Sequence, residues 1–219
     1  MTTHFGVKLR NKEGGLSLTA DNYIKFRSKD ITSPYFEDLN HKYEKAMMNF
    51  DLNMKYFKTL SWDEFDVELQ RLVASYTFDE ITNLSSVDGV KGFYIMVLDD
   101  YCQAYIGISH DIKGRIKAHW GRQVPLDQLA MDFSVYSLEV DCFRALDTTR
   151  IFVRPCPECD FINYPLIAGN LENEIVHKLP IDYCLNQGMT GTRDAMRERL
   201  RNRDVRIAKV RSLLSDTED

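Results

Sequence analysis

The sequence predicts a mixed α/β fold of the α+β kind: a small antiparallel sheet flanked by helices, with a mainly helical module before it and a basic helix after it. Three observations predict this. Short apolar runs, the mark of strands, gather after Gly92. Helical spacing rules on both sides, with Phe65, Leu69, Leu72 and Val73 before that point and Leu171, Ile175 and Leu179 after it. The C-terminal segment Thr192–Arg211 then carries arginines around a broken apolar stripe of Met196, Leu200, Ile207 and Val210.

Taken in order, residues 1–88 form the first module. Its opening NKEGGLSLTADN is turn-rich and has room for a short extended piece. Ser33 then offers an N-cap with Pro34 at the first helical position. Ser61 with Glu64 three residues on reads as a capping box. Tyr35, Phe36, Tyr43, Phe50, Tyr56 and Phe57 are expected to pack rather than to stack on bases. The junction is SSVDGVKG. Strands follow at 92–98 and 103–108, and a helix starts near Asp111. The alternating residues 133–140 are a third strand candidate and TTRIFVRP a fourth. AGNLENEIVHKL is helical.

A chain of 219 residues with a formal charge of −5 does not as a whole advertise nucleic-acid binding, but its charges are segregated. Lys113, Arg115, Lys117, His119 and Arg122 follow one another with no acidic residue between them. Thr192–Arg211 concentrates further arginines, and both stretches suit contact with a polyanion. No apolar run reaches the roughly 20 residues that span a bilayer, and MTTHFGVKLRNKEGG lacks a secretory h-region. A cytoplasmic location with no membrane partner is therefore expected. The five cysteines, an odd number, argue for reduced thiols over a disulfide framework. Cys156 and Cys159 in CPEC are half of a zinc site whose remainder would have to come from Cys142, Cys184 or His177. Zinc is not the favoured reading.

Pairing Leu98 with Gln103 sets Tyr94 opposite Gly107 and Met96 opposite Tyr105, while a tighter turn at Asp99-Asp100 sets the two tyrosines directly opposite. Either even-length connection keeps both phenols on one face, and an odd-length loop or a bulge separates them. Ile112, Ile116 and Trp120 form the ridge of the next helix, with Arg115 and His119 together on its flank. Glu172 stands one residue from the Leu171/Ile175/Leu179 ridge. Taken singly, these are ordinary strand tyrosines, a surface arginine and a solvated glutamate; their joint placement favours a site.

GFY at Gly92–Tyr94 and YIG at Tyr105–Gly107 resemble the signature tripeptides of the GIY-YIG nuclease superfamily. Arg115 matches the family's helix arginine, and His119 the additional histidine one turn later in some members. Glu172 in NLENEIVHKL matches the metal-binding glutamate, and Asn186 the asparagine that often follows that helix. Phe93 replaces the isoleucine, and the pattern around Asn186 is disturbed. The resemblance spans residues 89–187, with 141–166 reading as an insertion and 188–219 as a separate arginine-rich helix.

The resemblance implies a three-stranded antiparallel sheet and metal-dependent hydrolysis of a DNA phosphodiester by Tyr94, Tyr105, Arg115, His119 and Glu172. It also implies magnesium on Glu172, with manganese able to substitute. Lys113, Lys117, Arg122, Asn186, Arg197 and Arg201 are expected to contact nucleic acid, and the loop around 141–166 to lie near the substrate. Duplex DNA is favoured over RNA, and a symmetric target would require a homodimer. Chain length fits a restriction-type, mobile-element or defence nuclease. The alternative is a nucleic-acid-binding or partner-binding protein that keeps this scaffold without hydrolysis; the presence of both Arg115 and Glu172 weighs against it.

Overall fold

The computed structural model describes residues 1–10, 15–24, 36–122, 138–159, 165–186 and 193–215. The chain opens with a hairpin that lies before the turn-rich opening read from the sequence. Its strands β1 (Thr2–His4) and β2 (Val7–Leu9) pair antiparallel. Phe5 and Gly6 at the tip both have positive φ, as a tight two-residue hairpin turn requires.

The helices α1 (Ala20–Tyr23), α2 (Phe36–Phe57) and α3 (Trp62–Ser75) follow. The expected start at Ser61 is present: its side chain accepts from the Glu64 N–H at 3.3 Å, and Phe65, Leu69 and Leu72 are buried. The Ser33–Pro34 start lies outside the described residues.

The main sheet has four strands where three were expected, in the order β3 (Asp79–Ile81), β6 (Arg150–Pro155), β4 (Gly92–Leu98), β5 (Gln103–Ser109), all antiparallel. The extra edge strand β3 comes from before residue 88, so residues on both sides of that boundary share one sheet. The segment 141–166 is likewise no detour from the sheet. Its Ile151, Phe152 and Val153 are buried and form the strand between β3 and β4, which bears out the fourth strand candidate. Of the third candidate, residues 133–137 lie outside the described residues. The remainder leads into a short 3-10 turn at Val140–Cys142 rather than a strand.

Every residue of β4 is buried, so the sheet is covered on both faces. Phe93, Ile95 and Val97 join a core with Phe65, Leu69 and Leu72 of α3 and with Ile175 and Leu179 of α5 (Pro165–Lys178). Tyr94 and Met96 point the other way, towards Ile112, Ile116 and Trp120 of α4 (Ile112–Gly121) and Leu9 of the hairpin. This is the alternation of a strand that separates two layers.

The hairpin is tied to α4 through Thr148, whose carbonyl lies 2.7 Å from His4 Nε2 while its hydroxyl accepts from Trp120 Nε1 at 2.9 Å. A third core joins Tyr23, Phe50, Tyr56 and Phe57 to Leu98, Phe143, Leu185 and Val210. Val210 comes from the C-terminal helix α6 (Arg193–Ser215), which packs on α2 and on the turn at Ile181–Tyr183. Among the described residues no helix is long and apolar enough to cross a membrane.

Candidate active site

Of the two even-length registers the sequence allows, β4 and β5 adopt the one with Leu98 opposite Gln103, Tyr94 opposite Gly107 and Met96 opposite Tyr105. A 3-10 turn at Asp99–Tyr101 makes the connection, and Cys102 closes it in the left-handed region. The two tyrosines therefore share the α4 side, with ring centroids 6.2 Å apart. Gly107 has a steric reason to be glycine, since a Cβ there would collide with the Tyr94 phenol. Tyr94 is fully buried and Tyr105 partly so.

Helix α4 begins where the Asp111 carboxylate accepts from the Gly114 N–H at 3.0 Å, an N-cap that sets the helix against β5. Burial of Ile112, Ile116 and Trp120 turns Arg115 outward and brings His119 in, 3% exposed. His119 Nε2 stands 3.0 Å from Tyr94 Oη, and its ring meets Tyr105 edge-on with centroids 5.2 Å apart.

Burial pushes the Tyr94 hydroxyl well above its ordinary pKa; the charges of Tyr105 and Glu172 add to this, and the charge and hydrogen bond of Arg115 oppose it. Tyr105 is raised by burial and by Glu172, again against Arg115. One guanidinium thus acts on both phenols, as does one carboxylate. That carboxylate, Glu172, is buried on α5, which packs against β5.

Sequence reasoning missed Asp141. Its Oδ1 lies 2.5 Å from His119 Nδ1, and its Oδ2 accepts from Arg122 Nη1 at 2.8 Å. Burial raises this carboxyl, but the His119 hydrogen bond and charge and the Arg122 and Arg115 charges outweigh it, so its pKa is lowered. The segment that carries it is held by two buried groups. Arg144 Nη1 donates to the Cys142 carbonyl at 3.0 Å and to the Arg122 carbonyl at 3.2 Å. Asp147 accepts from the Leu18 N–H at 2.9 Å and from the Arg144 N–H at 2.6 Å. The available signal was chemical: a buried histidine with one nitrogen on a tyrosine needs an oriented partner on the other. Arg115, Ala118, His119, Gly121, Arg122 and Asp141 line an open cleft of about 490 Å³.

The other expected contacts divide. Lys117 is exposed beside the cleft-lining Ala118, and Arg122 keeps 57% of its side chain exposed while holding Asp141. Lys113 is paired with Asp88 at 2.7 Å. Arg197 and Arg201 are exposed on α6. Asn186 is buried, and its carboxamide accepts from the Ile106 N–H at 2.8 Å and donates to the Ile106 carbonyl at 2.5 Å. It thereby continues the edge of β5 as a strand residue would.

The expectation of reduced thiols at CPEC is corrected: Cys156 and Cys159 form a disulfide, their Cα atoms 5.3 Å apart. Two cysteines three residues apart can face each other once the chain turns after β6. Cys142 and Cys184 are buried as free thiols elsewhere. Among the described residues only Glu158 joins the pair as a candidate metal ligand, so the second half of a zinc site does not assemble.

Compared with known protein families, with curated proteins and with solved structures, the chain matches none of them.

Proposed function

We propose that the protein is a metal-dependent endonuclease that hydrolyses phosphodiester bonds of DNA, built on a GIY-YIG-type sheet of β6, β4 and β5 with α4 and α5 beside it. One observation carries this reading: Tyr94 and Tyr105 of a hairpin share a face with His119 of α4, and the charges of Arg115 of α4 and Glu172 of α5 act on both phenols. The motif order that resembles the GIY-YIG nucleases supports it independently.

Arg115 offers a fork of donors to the non-bridging oxygens of a phosphate. Glu172, a buried carboxylate whose charge acts on both phenols, would offer oxygen to a hard divalent cation such as magnesium, or manganese in its place. When bound, that ion supplies charge stabilisation to the phosphorus centre and the leaving oxygen. Tyr94 receives the proton of the attacking water, and Tyr105 orients the phosphate or the water. The cleft along Arg115 and Arg122 admits the backbone, and Lys117 adds charge at its rim. Duplex DNA is the preferred substrate, with restriction, mobility or defence as the setting.

The complete burial of Tyr94 is the observation that favours a second reading, a nucleic-acid-binding protein that does not cut. Plasmid and oligonucleotide cleavage with magnesium, manganese or chelator separates the two. Metal-dependent cutting is expected, and binding of DNA or RNA without any cutting would select the second.

A further inference from the structure

Resting on the nuclease reading, we infer that Asp141 is a positioning residue that holds His119 in the tautomer whose Nε2 takes the proton of Tyr94. The chain of contacts runs from Tyr94 Oη to His119 Nε2 at 3.0 Å, from His119 Nδ1 to Asp141 Oδ1 at 2.5 Å, and from Arg122 Nη1 to Asp141 Oδ2 at 2.8 Å. Its direction follows from the chemistry of the far end. Arg122 can only donate, so Asp141 is an acceptor at Oδ2. An ionised carboxylate accepts at both oxygens, so the proton on the His119 ring sits on Nδ1. Nε2 of the neutral ring then carries a lone pair, and the Tyr94 hydroxyl must donate to it.

Among the described residues the groups facing His119 are Tyr94 and Tyr105 on the sheet, Arg115 and Arg122 at α4, and Asp141 of the 139–142 segment, with Asp141 in turn acting on Glu139. A neutral tyrosine can act as a base only if its own proton has somewhere to go, and His119 Nε2, 3.0 Å from Tyr94 Oη, is within reach of it. In the step proposed, water attacks phosphorus and gives its proton to Tyr94 Oη as the Tyr94 proton moves to His119 Nε2. The new O–P bond forms as the bond to the leaving oxygen breaks. That oxygen takes a proton from solvent, and the imidazolium, held by the Asp141 carboxylate, later returns its own to solvent. Atoms and charge balance for hydrolysis.

The test begins without any variant. Nitrogen-15 spectra of the full chain at pH 7.5, with the His119 ring assigned from its loss in His119→Gln, are expected to show Nδ1 protonated and Nε2 bare. A proton on Nε2, in either the neutral or the charged ring, overturns the proposal. In Asp141→Asn the amide can donate to Nδ1, so the proton is expected to move to Nε2. There kcat for plasmid cleavage should fall about 10²-fold with KM unchanged, and Asp141→Glu should restore part of it. An Asp141→Asn protein with parental kcat also overturns the proposal. If the parent cuts nothing, the nuclease reading fails, while the ring nitrogens still report whether Asp141 sets the tautomer.

Discussion

Two helices, α4 and α6, bring arginines to the surface of the sequence in the same way, and the structure uses them in opposite ways. On α4 a narrow ridge of Ile112, Ile116 and Trp120 is buried, which leaves Arg115 outward and against two phenols. On α6 an arginine itself goes inside. Arg206 is 1% exposed, donates through Nη1 to the carbonyls of Cys184 and Ile181, and lies 5.7 Å from the ring centroids of both Tyr56 and Phe57. Burial lowers its pKa, opposed by the charges of Tyr56, Cys184 and Asp182. An arginine whose fork meets carbonyls and ring faces is a packing element; an exposed one that lines a cleft can turn its fork to a phosphate. Charge counts along the chain do not distinguish these cases, because the rings and carbonyls come from elements far away in sequence.

The comparison breaks first at Arg115. Replacement by Ala is expected to cut kcat for DNA cleavage by about 10²- to 10³-fold, while Arg201→Ala on the exposed side of α6 leaves kcat near parental. Equal losses from the two would erase the distinction. Next is Arg206→Ala, expected to destabilise the fold by about 2–4 kcal/mol through a cavity and two carbonyls left short of a donor, as read from denaturant midpoints. Removal of everything after Gly191 should weaken DNA binding and lessen its salt dependence, and because it also takes away Arg206 and Val210 it should lower stability as well. Asn186→Ala, at the edge of β5, should cost about 1–3 kcal/mol because the Ile106 N–H and carbonyl lose their partner.

The smallest effect concerns Asp182, which anchors α6 by accepting from Lys209. Burial raises this carboxyl, but the hydrogen bonds from Lys209 and Tyr56 and the charges of Lys209 and Arg206 hold its pKa below the ordinary value. A folded pKa below the unfolded one contributes stability that is complete above about pH 5 and lost on acidification through the folded pKa. Asp182→Asn should therefore flatten the acid side of a stability-against-pH curve, and an unchanged curve would count against this anchor.

The legible part of the molecule was the part governed by local rules. Alternation and an even-length connection put Tyr94 and Tyr105 on one face, the Ser61 cap starts α3, and the α4 ridge dictates which way Arg115 and His119 face. What stayed hidden depends on remote partners. Strand β3 is three residues long and mostly exposed, so it has no periodicity to read; β6 alone recruits it. Asp141 is one carboxylate in a stretch without pattern, and it gains meaning only where the buried Arg144 and Asp147 bring its turn against α4. Asn186 enters the expected nucleic-acid contacts only through the resemblance, and the open edge of β5 that engages both ends of its amide leaves no mark in the local sequence.

The central claim is tested most directly by cleavage of supercoiled plasmid in magnesium, parent against Glu172→Ala, with folding of both checked by thermal melting. The account predicts metal-dependent nicking or linearisation by the parent and its loss in an equally folded variant. Parental cutting by Glu172→Ala, or no cutting of any DNA form by a folded parent that binds DNA, would contradict it.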